Sequence, residues 1–101
     1  MIYRIRTITL SRKEIIESRS VFTEAANYIN SKYPDVTSEI LINISGSLNQ
    51  IHWSTKCDSL AILEAYEAKR NQDPEWIAIV QKWFAEADPQ DMVDNFYEVI
   101  S

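Results

Sequence analysis

Along the chain the apolar positions switch between two periods, and the switches mark the elements. Residues 2–10 (IYRIRTITL) are rich in Ile and Thr with broken alternation, which suits a strand better than a helix. Ile15, Phe22, Ala26, Ile29 and Tyr33 then recur at steps of seven, four, three and four, drawing one apolar stripe along a helix. Ser11 followed by Glu14 has the form of a capping box, the hydroxyl taking an orphan amide of the first turn while the carboxylate reaches back. Pro34 ends this helix. Residues 36–45 (VTSEILINIS) alternate at Ile40, Ile42 and Ile44, the period of a strand with one apolar face. Residues 50–57 (QIHWSTKC) read as its return partner across a Gly46-Ser47-Leu48-Asn49 turn.

Pairing Ser45 with Gln50 places Ile44 opposite Ile51, Ile42 opposite Trp53 and Ile40 opposite Thr55 on an apolar face. The polar face then sets Glu39 against Lys56 and Asn43 against His52. The opposed charges favour this register, because a directly opposed cross-strand pair contributes about 0.2–1 kcal/mol. Further on, Asp58 or Ser59 caps a second helix that runs through Leu60, Leu63 and Tyr66 to a break at Asn71-Gln72-Asp73-Pro74. Asp73 as N-cap with Pro74 in the first turn restarts it, since proline's missing amide costs nothing there. Trp76, Val80, Trp83, Phe84 and Ala87 form its inward stripe, and residues 92–100 (MVDNFYEVI) make a last strand. With right-handed crossovers, the order βαββαβ closes most simply into a four-stranded antiparallel sheet of order 4-1-3-2 with the helices on one face, the ferredoxin-like α+β arrangement.

Helices on one face leave the other uncovered, and large apolar residues fall on both, Ile40, Ile42 and Trp53 on one and Leu41 on the other. The expected partner is therefore a second copy, in a homodimer formed through the sheet. The 101 residues are the size of a single domain spanning 1–101, with 46% hydrophobic residues to build a core. A net charge of -5 offers no basic field, which disfavours nucleic acid, and none is expected as a partner. Arg4, Arg6, Arg12 and Lys13 make the first stretch locally basic and read as solvated charge. There is no apolar run of signal-peptide length at the start and no stretch approaching the roughly 18 apolar residues of a membrane span, so a cytoplasmic protein without membrane contact is expected. Cys57 is the only cysteine, which excludes an internal disulfide and a multi-cysteine metal site.

Three segments carry a resemblance: the opening Tyr3-Arg4-Ile5-Arg6, Ile51-His52-Trp53 leading into Asp58-Ser59-Leu60, and Asp73-Pro74-Glu75-Trp76. Together they make the chain resemble the dimeric α+β barrel superfamily, most closely NIPSNAP-like proteins. The resemblance implies a barrel built from two subunits' sheets, with small-molecule pockets between sheet and helices. It implies no single activity, because the superfamily holds cofactor-free monooxygenases, polyketide cyclases, isomerases, haem-degrading enzymes and proteins without known activity.

His52 is the only histidine and the only side chain whose ordinary pKa lies near neutrality, which makes it the candidate general base. A lone strand histidine is more often a hydrogen-bonded structural residue. Arg19 falls between Ile15 and Phe22 on the helical stripe that otherwise points at the sheet; pointing inward it would need Glu39 or a ligand carboxylate, and snorkelling to solvent is the plainer account. If the polar face of the hairpin lies beneath the helices, Arg19, Glu39, Asn43, His52 and Lys56 line a common pocket, with Trp53, Trp76 and Trp83 as aromatic walls for a small apolar or planar ligand, although aromatics at such spacing are more often core. If it lies on the other side, they do not. One His and one Cys on opposite strand faces cannot build a metal site, so neither metal nor cofactor is expected. The readings are a homodimeric small-molecule-binding domain, a cofactor-independent monooxygenase or polyketide cyclase with His52 as base and Arg19 or Asn43 on the oxyanion, or a structural dimer.

Overall fold

The computed structural model describes residues 1–101. Its elements are β1 (Ile2–Thr9), α1 (Arg12–Lys32), β2 (Thr37–Ile42), β3 (Gln50–Cys57), α2 (Leu60–Arg70), α3 (Pro74–Phe84) and β4 (Asp91–Glu98). The strands form one antiparallel sheet of order β2-β3-β1-β4, which is the expected 4-1-3-2 read from the other edge. The architecture is a ferredoxin-like βαββαβ sheet whose second crossover is split into α2 and α3.

Local chemistry sets the boundaries. The Glu14 amide donates to Ser11 Oγ at 3.2 Å and the Ser11 amide to Glu14 Oε1 at 3.3 Å, completing the capping box of α1. The other Glu14 oxygen accepts the Asp88 amide at 2.6 Å, tying the start of α1 to the connection between α3 and β4. Ser59 caps α2 and Asp73 caps α3, with Pro74 in the first turn. Asp73 also accepts from the Tyr33 hydroxyl at 2.7 Å, from Lys32 Nζ at 2.9 Å and from the Tyr28 hydroxyl, so the last turn of α1 clamps the first turn of α3. These hydrogen bonds, that of Tyr28 first, hold the Asp73 carboxyl well below the usual carboxylate range.

The hairpin register differs from the sequence expectation by two residues. Ile42 opposes Ile51, Ile40 opposes Trp53, Glu39 opposes Ser54 and Thr37 opposes Lys56. The cause is the connection: β2 ends at Ile42, so seven residues, 43–49, join the strands instead of four, with Gly46 in the left-handed region at φ 75°. A shift of two preserves the faces, since side chains alternate with period two. Ile40, Ile42, Ile51 and Trp53 therefore still share a face, but the Glu39–Lys56 pairing is not formed.

That apolar face is the one the helices cover. Its core falls into two clusters: Ile8, Leu10, Ile15, Val21, Phe22, Ile51, Trp83 and Ala87 in one, and Ala25, Ile29, Val36, Trp53, Cys57, Leu63, Tyr66 and Trp76 in the other. Ile40 and Ile79 pack against both. Arg4 is 1% exposed and Arg6 partly buried, so neither is solvated charge; β1 turns both toward the helices, opposite Thr55 and Trp53. Phe84, expected in the inward stripe, is 49% exposed.

Candidate functional site

Between the two clusters lies a cavity of about 250 Å³ bounded by the sheet on one side and by α1 and α3 on the other. An apolar cavity of about 150 Å³ suffices for benzene, so this one has room for a bicyclic aromatic or a medium-length acyl chain. Its walls are aromatic and aliphatic: Phe22 and Trp83, with ring centroids 5.1 Å apart, Trp53 and Trp76 at 5.5 Å, Phe84 toward solvent, and Ile8, Val21, Ala25 and Ile40. Hydrogen bonds fix two of the indoles. Trp53 Nε1 donates to Ser38 Oγ at 2.7 Å and Trp83 Nε1 to Ser18 Oγ at 3.1 Å. Ser38 is itself held by Asn30, whose side chain accepts its amide at 2.7 Å and donates to its carbonyl at 2.9 Å.

The polar part of the lining is Arg6, Arg70 and Asn71. Arg4, Arg6 and Arg70 surround Trp53, their guanidinium carbons 5.1, 5.5 and 5.2 Å from the ring centroid, close enough for cation–π attraction. Arg6 grips Asp94 with two parallel hydrogen bonds, Nε to Oδ1 at 2.7 Å and Nη2 to Oδ2 at 2.9 Å, which raise the pKa of the arginine and lower that of the aspartate. Arg4 pairs with Glu67 and donates to Thr55 Oγ1 at 3.4 Å. Burial, then the charges of Arg6 and Arg70, push the Arg4 pKa down, and Tyr66 and Asp94 oppose them.

The face carrying the other candidates is the one that the helices leave open. His52 and Asn43 come together there, Nε2 and Oδ1 being 2.6 Å apart, and His52 Nδ1 lies 2.9 Å from Thr7 Oγ1. Each ring nitrogen thus lies within hydrogen-bond distance of a neutral partner, so both are engaged. Lys56 shares this face and lies over Tyr3, 5.7 Å from its ring centroid. Glu39 is exposed opposite Ser54. Arg19 is exposed on α1, and Ser18 takes the inward position beside it. Of the residues expected to share a pocket, Trp53, Trp76 and Trp83 line the cavity and the polar ones do not, because the polar face of the hairpin is not beneath the helices.

Arg6 and Arg70 were legible in part. Arg6 has the strand parity of Ile2 and Ile8, and Leu63, Tyr66 and Arg70 follow a helical period. A charge on an apolar stripe was the available signal, and the basic look of the first strand obscured it.

The chain has the ferredoxin-like α+β fold, with a cavity between sheet and helices. An uncharacterized NIPSNAP domain protein from Burkholderia xenovorans superposes with a TM-score of 0.83 at 17% identity, over 100% of this chain and 96% of that one. A putative antibiotic biosynthesis monooxygenase from Deinococcus radiodurans gives 0.73 at 13% identity, covering 100% and 94%. A dimeric protein of unknown function with a ferredoxin-like fold from Bacteroides fragilis gives 0.67 at 18% identity, covering 97% and 96%. No family model matches the sequence, and no curated protein does. No helix is long and apolar enough to cross a membrane.

Proposed function

We propose that residues 1–101 act as one dimeric α+β barrel domain of NIPSNAP-like type that binds a small, planar or acyl, largely apolar ligand between sheet and helices. The observation that carries this reading is the cavity itself, a gap between two core clusters walled by three tryptophans and two phenylalanines. Protein interiors leave few voids larger than a water molecule, so an apolar gap of this size with a few polar groups at its edge marks a ligand site. The residues lining it support binding over proton transfer. They include no histidine, carboxylate or thiol, and His52 lies on the opposite face with both nitrogens engaged.

Dimerisation through the sheet is supported by the apolar side chains on the open face. Leu41, Val93 and Tyr97 are exposed by about half, beside Tyr3 and Ile5. The similar Bacteroides fragilis protein is dimeric. Native mass spectrometry of gently purified protein tests both parts, with a dimer carrying retained small-molecule mass expected. A bare monomer that takes up no aromatic or acyl compound would refute the reading.

A further inference from the structure

We infer that the ligand of this cavity is a singly charged carboxylate, received by the guanidinium of Arg70. The inference rests on the reading of the cavity as a small-molecule site and names the chemical class that fits it.

Three guanidiniums gather around Trp53, and two have a carboxylate of their own, Arg6 with Asp94 and Arg4 with Glu67. Arg70 has none. It is 6% exposed, lines the cavity, and makes only two long hydrogen bonds to neutral oxygens, Nη1 to the Tyr66 hydroxyl and Nη2 to Asn71 Oδ1, each at 3.3 Å. Its Nε–H has no partner. A guanidinium carries five N–H donors in a planar fork, so three remain unused in a place where water is largely excluded. Aromatic rings fix its plane, with Tyr66 at 5.2 Å and Trp76 at 5.3 Å from the guanidinium carbon. These contacts hold the group in place without neutralising it.

Charge selects the ligand class. Arg4, Arg6 and Arg70 against Glu67 and Asp94 leave a surplus of one positive charge, which one carboxylate cancels and a phosphate dianion would overshoot. The planar fork also matches a carboxylate's two oxygens. The remaining lining accepts an aromatic or acyl body, so the class is an aryl or acyl carboxylic acid with its head at Arg70.

The test compares 2-naphthoate with its neutral, near-isosteric amide 2-naphthamide by isothermal titration at pH 7. In the unaltered protein the acid is expected to bind about tenfold or more tightly than the amide, the usual margin of a charge-assisted hydrogen bond. Arg70→Met is expected to erase that margin while the amide still binds. Arg70→Lys, which keeps the charge but loses the fork, is expected to narrow it, and this variant decides if the methionine variant does not fold. Equal affinities in the unaltered protein, or a margin that survives in the variants, would overturn the carboxylate inference and leave the cavity as a site for neutral ligands. Failure of both probes to bind the unaltered protein would instead count against the small-molecule site itself.

Discussion

Ala25→Leu puts the cavity to a test of sign. Ala25 sits on α1 in the cavity wall, and leucine would project three further carbons into the space between the two core clusters. At about 0.8 kcal/mol for each buried methylene this contributes up to about 2.4 kcal/mol. The rotamer freedom a buried leucine loses costs about 0.5–1 kcal/mol, so the variant should be more stable by about 1.5 kcal/mol. For a domain of this length about 1 kcal/mol raises Tm by roughly 4–8 °C. Urea denaturation followed by tryptophan fluorescence measures the effect, and the same sample should bind 2-naphthamide less well because the space is occupied. Were the region packed to ordinary density, the added carbons would be forced off rotamer and the protein would lose about 1–3 kcal/mol. A lowered urea midpoint with unchanged probe affinity would refute the reasoning.

The other predictions concern the supports of the site. Ser38→Ala removes the acceptor of the Trp53 indole N–H, and the unsatisfied buried donor should cost about 1–3 kcal/mol, seen as a lower urea midpoint at unchanged slope. Asp73 is held below the ordinary carboxylate pKa of about 3.9, so its contribution is present above about pH 4 and is lost as the pH falls below it. Thermal melts of Asp73→Asn should show a lower Tm at pH 7 and a flatter decline into acid; parallel acid limbs would contradict the clamp. Leu41→Asp places a charge on the open sheet face and, if the proposed dimer forms through that face, should leave a monomer in sedimentation velocity without altering the far-ultraviolet circular dichroism.

Much of the fold was legible because each element announces itself locally. Ser11 with Glu14, Ser59, and Asp73 with Pro74 start the helices where sequence logic puts them. The register was legible only to its parity. Asn43 and Ile44 continue the alternation of β2 in sequence but leave the ladder, and no local signal separates a four-residue turn from a seven-residue connection here. The site was the least legible part, because the polar residues that cluster in sequence lie on the hairpin, and their side chains face away from the helices. Arg70 and Arg6 are distant in sequence and meet only because β1, β3 and the end of α2 converge on Trp53. Asn43 and His52 did come together as anticipated, by a diagonal contact and not a direct cross-strand pairing.

The central claim, that the ligand site is the helix-side cavity and not the open polar face, is tested most directly by ¹⁵N chemical-shift mapping during titration with 2-naphthoate. The three indole N–H groups of Trp53, Trp76 and Trp83 and the guanidinium Nε–H of Arg70 are built-in reporters of the cavity, while His52 and Asn43 report the other face. The account predicts that all four cavity signals move together with one affinity while His52 and Asn43 stay in place. Shifts confined to His52 and Asn43, with the indoles unmoved, would contradict it.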